Sequence, residues 1–192
     1  DRYQYLASIG IIILFSSIIT GLFEKYNISW NSFTISGMGC LFILLGILTW
    51  KQAGIYQNDI TLFQHNIKIN PNHPYAYYHR AHIYAEKGRV DEAILDYSKA
   101  IEIDPNNANS YSNRANEYYK KGNFDQSISD CNKAIEINPN HANACCNRGV
   151  VYTGQGDFTQ AMSDFNKALE INPNYAAAYY NLGITFVKKG QF

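Results

Sequence analysis

Residues 108–141 read ANSYSNRANEYYKKGNFDQSISDCNKAIEINPNH, and this stretch has a near copy on each side of it. Residues 74–107 (PYAYYHRAHIYAEKGRVDEAILDYSKAIEIDPNN) and residues 142–175 (ANACCNRGVVYTGQGDFTQAMSDFNKALEINPNY) align with it without a gap. A fourth copy begins at residue 176, and the sequence stops within it. Self-similarity at a fixed period of 34 residues indicates a repeat architecture, in which each unit buries its apolar face against the next.

Each copy predicts two helices separated by a turn. In the copy at 74–107, Tyr77, Ala81 and Tyr84 recur at a helical spacing along the first half. Gly88 then ends the first helix at a point that needs a left-handed residue. The second helix ends before Pro105, because proline cannot continue a helix. We therefore predict an all-α fold of stacked helix pairs.

The copies resemble the tetratricopeptide repeat family in their 34-residue period, closing proline, aromatic columns and small-residue columns. The resemblance covers residues 74–192 and implies a right-handed α-solenoid whose first helices line a concave surface. Such a surface binds an extended peptide or a partner protein. The small columns are Ala81, Ala115, Gly149 and Gly183; Ala93, Ser127 and Ala161; and Ala100, Ala134 and Ala168. The predicted division is an in-phase partial repeat at 51–73, repeats at 74–107, 108–141 and 142–175, and a truncated repeat at 176–192.

Residues 1–50 differ from the rest of the chain because they are strongly apolar and nearly uncharged. The runs 5–23 and 33–50 contain no charged residue, and each is near the length of about 20 residues that a membrane span needs. We expect a two-helix transmembrane hairpin, contact with the lipid bilayer and an integral membrane localisation. The segment 51–73 would join the second membrane helix to the array without a flexible linker. The basic residues are spread too evenly to decide which side the repeats face.

A column of amides suggests how the first helices bind a ligand. It consists of Asn113, Asn147 and Asn181, with His79 in the first copy. An asparagine amide offers both a donor and an acceptor, so it can bind a peptide backbone without reading its sequence. The column resembles the asparagine ladder of the protein O-GlcNAc transferase repeats; the alternative is that the amides meet only water. By resemblance, the other residues of the concave face are Tyr75, Tyr78, His82, Asn109, Ser112, Asn116, Tyr119, Asn143 and Tyr180.

Two further columns bear on the ligand. Chaperone-binding members of the family clamp a terminal carboxylate with basic residues, but Tyr78 and Ser112 stand where a lysine would be wanted. We therefore do not predict that ligand. Arg80, Arg114 and Arg148 also recur, and we interpret them as surface pairs with acidic residues on neighbouring helices.

The predicted function is a membrane-anchored module that binds a peptide or a partner protein. The alternative comes from the opening DRYQYLASIG, which resembles the DRYxYxPxxG stretch of multi-span glycosyltransferases with C-terminal tetratricopeptide repeats, the transmembrane O-mannosyltransferases among them. Ala7 departs from that pattern. The resemblance implies an acceptor-binding tail with its catalytic part upstream of Asp1 and its repeats on the lumenal or periplasmic side. A third interpretation, a soluble assembly factor, requires that the apolar runs do not span a membrane.

Several classes of function are not predicted. The chain has 16 basic and 16 acidic residues, which gives no reason to expect nucleic acid. We find no catalytic constellation and expect no cofactor. His79 and His82 lie one turn apart but lack the third ligand that a metal site needs. Cys131, Cys145 and Cys146 have no metal-type spacing; we expect Cys131 and Cys145, which stand in packing columns, to be small buried fillers.

Overall fold

The computed structural model describes residues 59–190, together with Ser17, Gly21, Lys25 and residues 44–48. The chain divides into two compact units, Asp1–Ala53 and Gly54–Phe192. Helices follow one another along the described part of the second unit: α1 (Asp59–Ile69), α2 (Pro74–Glu86), α3 (Val90–Ile103), α4 (Ala108–Lys120), α5 (Phe124–Ile137), α6 (Ala142–Gln155), α7 (Phe158–Ile171) and α8 (Ala176–Lys189). This is an all-α solenoid of paired helices.

The structure corrects the predicted membrane localisation. Within the described residues, no helix is both long enough and apolar enough to cross a bilayer. A span needs about 20 apolar residues in one helix, whereas α1 is 11 residues long and α6 is 14. Apart from the few positions given above, the apolar runs 5–23 and 33–50 lie outside the described residues, as does the predicted junction at 51–58.

Turns between paired helices depend on glycine at one position. The backbone of Gly122, after α4, has a φ of 77°, and that of Gly156, after α6, has a φ of 82°. This left-handed conformation is strained for residues with a Cβ atom. The glycine lets the chain reverse within a few residues, so that α4 packs against α5 and α6 against α7.

The core lies between the two helices of each pair, where small residues let them approach closely. Ala81, Ala115 and Gly149 are all buried at this crossing. A Cβ atom added to Gly149 would lie 2.8 Å from Cε1 of Phe165, so only glycine fits there. In the same column of α8, a Cβ atom on Gly183 would meet no other atom within 4 Å. The column is therefore tight only where a second helix crosses it.

The thiol side chains fill the core as expected. Cys131 and Cys145 are fully buried and free of disulfide bonds. Burial raises the pKa of Cys131 to about 12 and also raises the pKa of Cys145. Both thiols are therefore protonated at neutral pH, which suits a packing role.

The recurring arginines tie each helix pair together more deeply than a surface pair would. Arg114 Nε and Nη2 each lie 2.7 Å from an oxygen of Asp130. The equivalent pairs are Arg80 with Asp96 and Arg148 with Asp164. All three aspartates are buried, so the expectation of surface pairing is wrong about depth although right about the acidic partners. Two-point contacts of this kind are strong and geometrically specific.

Candidate functional site

The thirteen residues predicted to bind a ligand all lie on α2, α4, α6 and α8, the first helices of their pairs. We call the surface that they form the first-helix face. Their exposure differs along it. Exposed to solvent are Tyr75, His82, Asn109, Asn116, Asn143 and Tyr180; half-buried are Tyr78, His79, Asn113, Tyr119, Asn147 and Asn181; and Ser112 is buried.

The asparagine column links successive first helices. Asn113 Nδ2 donates to Tyr78 Oη at 3.1 Å, and Asn147 Nδ2 donates to the carbonyl oxygen of Ser112 at 3.1 Å. Asn181 Nδ2 lies 3.8 Å from Cys146 Sγ. Each of the three amide groups thus donates at least one hydrogen bond within the protein. The Asn113 side chain also interacts with the hydroxyl of Tyr97. The column therefore presents a row of acceptors whose amide groups already contact the preceding first helix.

An aromatic cluster forms the end of the face at α1 and α2. The ring centroid of His79 lies 3.9 Å from that of Tyr75, 5.1 Å from that of Tyr78 and 5.6 Å from that of Phe63. Burial, and then the nearby His82, lowers the pKa of His79. At neutral pH His79 therefore contributes an uncharged ring. A cavity of about 310 Å³ adjoins the cluster; it is lined by Asn66, Ile69, Asn70, His73, Tyr75 and Ala76.

His141 contacts a residue of the first-helix face, and sequence reasoning missed it. Its Nδ1 accepts a hydrogen bond from the backbone N–H of Ala144 at 3.1 Å, which caps the start of α6. Because Nδ1 accepts, the proton sits on Nε2, which donates to Asn109 Oδ1 at 3.0 Å. Burial lowers the pKa of His141, in agreement with a neutral ring. A sequence signal existed, since Asn107 stands one period earlier and caps α4 in the same way.

Glu117 was also missed, and it is the most buried acidic residue of the described chain. Its Oε1 accepts from Lys120 Nζ at 2.6 Å and from Asn116 Nδ2 at 3.5 Å. Its Oε2 is buried and has no hydrogen-bond partner among the described residues. The signal in the sequence was an acidic residue in a column that holds Ile83, Val151 and Thr185 elsewhere.

Comparison with known families agrees with this architecture. A model described as TPR repeat matches residues 81–120 and 151–190. Two models described as Tetratricopeptide repeat match residues 108–141 and 62–95. The matches together cover more than half of the chain, which belongs to the tetratricopeptide repeat family. It is therefore a protein-interaction module, built on a fold that is typically not catalytic.

Similar proteins show the same repeats in different settings. Residues of this chain are 30% identical over 97 positions to Protein O-mannosyl-transferase Tmtc1 of Drosophila melanogaster. That match spans 50% of this chain but only 11% of the relative, and it supports the resemblance to glycosyltransferases that carry these repeats.

Solved structures confirm the solenoid. The first TPR of Spaghetti (RPAP3) bound to the HSP90 peptide SRMEEVD superposes with a TM-score of 0.58 at 28% identity, over 62% of this chain and 94% of that one. The first TPR domain of human RPAP3 gives a TM-score of 0.59 at 28% identity, over 64% and 100%. The crystal structure of MamA gives 0.63 at 23% identity, over 73% and 82%, and it supports the fold alone.

Proposed function

We propose that this chain binds an extended segment of a partner polypeptide along the first-helix face, which would form a concave groove. The observation that carries the proposal is the row of Oδ1 atoms on Asn113, Asn147 and Asn181. Each of these acceptors has its own amide donor fixed by a neighbouring helix, so its direction is set before a ligand arrives. Pre-organised groups of this kind lose little entropy on binding.

The distance between successive first helices suits a peptide backbone. Packed helices lie about 8–10 Å apart, and an extended chain advances about 3.3 Å per residue. One asparagine acceptor would therefore meet about every third backbone N–H of the ligand. A backbone contact of this kind does not select side chains, so specificity has to come from elsewhere on the face.

The rings at the α2 end would supply that selectivity for apolar side chains. Tyr75 is well exposed, and it lies directly against His79. Rigid aromatic rings give a large contact area at a low entropic cost. The exposed Tyr180 on α8 offers a similar ring at the other end of the face.

The residues in two columns of the face disfavour an acidic ligand. The HSP90 peptide SRMEEVD seen with Spaghetti carries three acidic side chains. In this chain Tyr78 and Ser112 occupy the columns in which such a clamp would need lysine. Lys120 already contacts Glu117. We therefore expect neutral or basic peptides to bind here.

The asparagine acceptors can be tested separately from the asparagine donors. A random 12-residue peptide library is panned on the protein, and a recovered peptide is titrated by fluorescence anisotropy. The triple variant Asn113→Ala, Asn147→Ala, Asn181→Ala loses both the donor and the acceptor, and we expect affinity to fall at least about tenfold. Asn147→Asp loses the donor but keeps an acceptor, so it should bind more tightly than Asn147→Ala.

Stability has to be followed in the same variants, because each Nδ2 donor links two helices. Melting temperatures would fall similarly in Asn147→Ala and Asn147→Asp, whereas affinity should separate them. Asn166→Ala changes an exposed asparagine of α7, outside the face, and serves as the control. Equal affinity in the triple variant and the Asn166→Ala control would refute the ladder.

A second candidate function follows from the match to Protein O-mannosyl-transferase Tmtc1. The face would then hold an acceptor polypeptide for sugar transfer by a catalytic part encoded upstream of Asp1. Determining the coding sequence upstream of Asp1 tests this: a long region resembling a glycosyltransferase supports it, and its absence argues for a partner-recruiting module.

A further inference from the structure

Both buried polar atoms that lack a partner in the described part of the chain belong to α4: Ser110 Oγ and Glu117 Oε2. The carboxylate is the more costly of the two. The Glu117 residue is 1% exposed, and a buried charged oxygen without a donor is strongly destabilising. Ionised oxygens in such a position usually accept a hydrogen bond. A side chain of the bound peptide is therefore a candidate donor to Oε2.

The position that faces Glu117 across the two helices holds a small apolar residue, Ala85. In the last two first helices, Thr185 Oγ1 hydrogen-bonds Thr153 Oγ1 at 2.8 Å, so the two positions face each other. Two periods earlier these positions are Glu117 and Ala85. Each threonine hydroxyl can also donate to the carbonyl oxygen four residues earlier, that of Gly149 or Asn181, whereas alanine offers only a methyl group and no donor to the carboxylate.

Two carboxylates act electrostatically on one buried hydroxyl in this part of the fold. The charges of both Glu117 and Glu86 act on the hydroxyl of Tyr97, whose pKa is raised mainly by burial and further by Tyr78 and these carboxylates. Glu86 is exposed and lies 3.5 Å from His82. Both carboxylates thus contribute negative charge that is felt at Tyr97 of α3.

Lys120 shows that a cation can reach Glu117 from the surface. Its side chain is 41% exposed, yet its Nζ lies 2.6 Å from Glu117 Oε1. An ammonium group on a flexible stem makes a point contact, and it leaves Oε2 unsatisfied. A guanidinium group has five donors in a fixed fork and can bind both oxygens of one carboxylate.

We propose that Glu117 is an anchoring subsite for an arginine side chain of the bound peptide, and that Lys120 occupies this subsite in the free protein. This inference rests on the proposed function, since it places one side chain of the peptide that the asparagine acceptors hold. The arginine displaces the Lys120 ammonium group and donates to Oε2. The Glu117 carboxylate thus selects a basic side chain at one position of the ligand.

The test uses the same random 12-residue library, panned in parallel on the wild-type protein, Glu117→Gln and Lys120→Met. The wild type should enrich arginine at one position of the selected peptides. Glu117→Gln keeps the size of the side chain but removes its charge, so that enrichment should disappear while peptides are still selected. Lys120→Met removes the competing ammonium group and should increase the enrichment.

A direct titration sharpens the result. A selected peptide is compared with the same peptide carrying citrulline, which is uncharged and has the shape of arginine. The wild type should prefer arginine at least about tenfold, and Glu117→Gln should show no preference. A carboxylate with only a structural role would instead leave the preference unchanged and shift the melting temperature alone.

The outcomes separate the two proposals. Peptides selected without an arginine preference would overturn this inference and leave the peptide-binding function standing. Recovery of no peptide by the wild type would overturn both. If Glu117→Gln does not fold, as judged by circular dichroism, Lys120→Met decides, because its change lies at an exposed side chain: unchanged or weaker arginine enrichment there overturns the inference.

Discussion

Helices α4 and α6 occupy the same position in successive units, 34 residues apart, yet they bury different chemistry. Helix α4 buries Ser110, Ser112, Ala115 and Glu117. Helix α6 buries Ala144, Cys145, Cys146, Gly149, Val151 and Thr153. The two helices use the same arginine pair and the same turn glycine, so their backbones are held alike while their buried side chains diverge.

The difference shows where the molecule gives up stability. On α6 the buried hydroxyl of Thr153 donates to the Gly149 carbonyl oxygen at 2.9 Å and lies 2.8 Å from Oγ1 of Thr185. On α4 one hydroxyl and one carboxylate oxygen find no donor or acceptor in the described chain. Unsatisfied buried groups tend to persist at functional sites. Helix α4 therefore leaves two buried polar atoms unpaired in the described chain, whereas α6 leaves none there.

The largest loss of stability is expected when the arginine–aspartate pair, which α4 and α6 have in common, is broken. Asp130→Ala leaves the guanidinium group of Arg114 partly buried beside α4 without its carboxylate, and we expect a loss of about 3 kcal/mol in the free energy of unfolding. Asp164→Ala should cost less, because the Arg148 side chain is 24% exposed and that of Arg114 is 17%. Urea denaturation measures both. Glu136→Ala, in an exposed pair, is the control, and a loss there as large as in Asp130→Ala would refute the argument.

The second-largest loss of stability is expected for a substitution in α6. Gly149→Ala places a methyl group against the ring of Phe165, and overpacking of this kind costs about 2 kcal/mol even though alanine favours helix. Gly183→Ala adds the same methyl group where no atom lies within 4 Å, so it should stabilise the protein slightly. Thermal unfolding of the two variants gives the comparison. Destabilisation by both changes would mean that the clash is not the cause.

A reciprocal exchange sharpens the contrast in polar burial. Ser110→Ala removes the unsatisfied hydroxyl of α4, and we expect a gain of about 1 kcal/mol in stability. Ala144→Ser puts a hydroxyl at the equivalent buried position of α6 and should lose a similar amount. Ser127→Ala is the control, because that hydroxyl donates to the Ala115 carbonyl oxygen at 2.7 Å. If Ser110→Ala destabilises as Ser127→Ala does, Ser110 has a partner after all.

The smallest effect is a pH dependence of stability that arises at the start of α6, where His141 is the cap. Burial lowers the pKa of His141 below its ordinary 6.5, so the unfolded chain binds the proton more readily than the folded one. Its contribution to stability is complete above about pH 6.5 and falls as the pH drops through the folded-state pKa. The change should be about 1 kcal/mol or less.

His141→Asn replaces the titrating cap of α6 with the residue that caps α4. Urea midpoints measured between pH 7.5 and 5 should fall less in this variant than in the wild type. The lowered pKa of His79 contributes in the same direction and remains in both proteins. An unchanged pH profile would show that the His141 cap does not titrate in this range.

The helix pairs and their turns followed from the sequence because the signals that end a helix are local. Gly122 and Pro105 act on a few residues of backbone, and the 34-residue period repeats such signals in each unit. The amide column was also visible, but the engagement of its donors was not, since Asn147 bonds a residue 35 positions away. The membrane localisation was wrong, because absence of charge in a run of residues does not establish that one continuous helix carries it. The resemblance to repeat-bearing glycosyltransferases is supported by the match to Protein O-mannosyl-transferase Tmtc1.

By itself the sequence determined a repeating all-α solenoid and the turns between its paired helices. Local sterics decide those features, so a pattern of spacing suffices to find them. The tertiary structure alone decided which polar groups are satisfied: His141 pairs with Asn109, and Glu117 Oε2 has no partner within the described residues. Hydrogen bonds depend on distances of a few tenths of an ångström between helices, and those distances are set only when neighbouring units pack together.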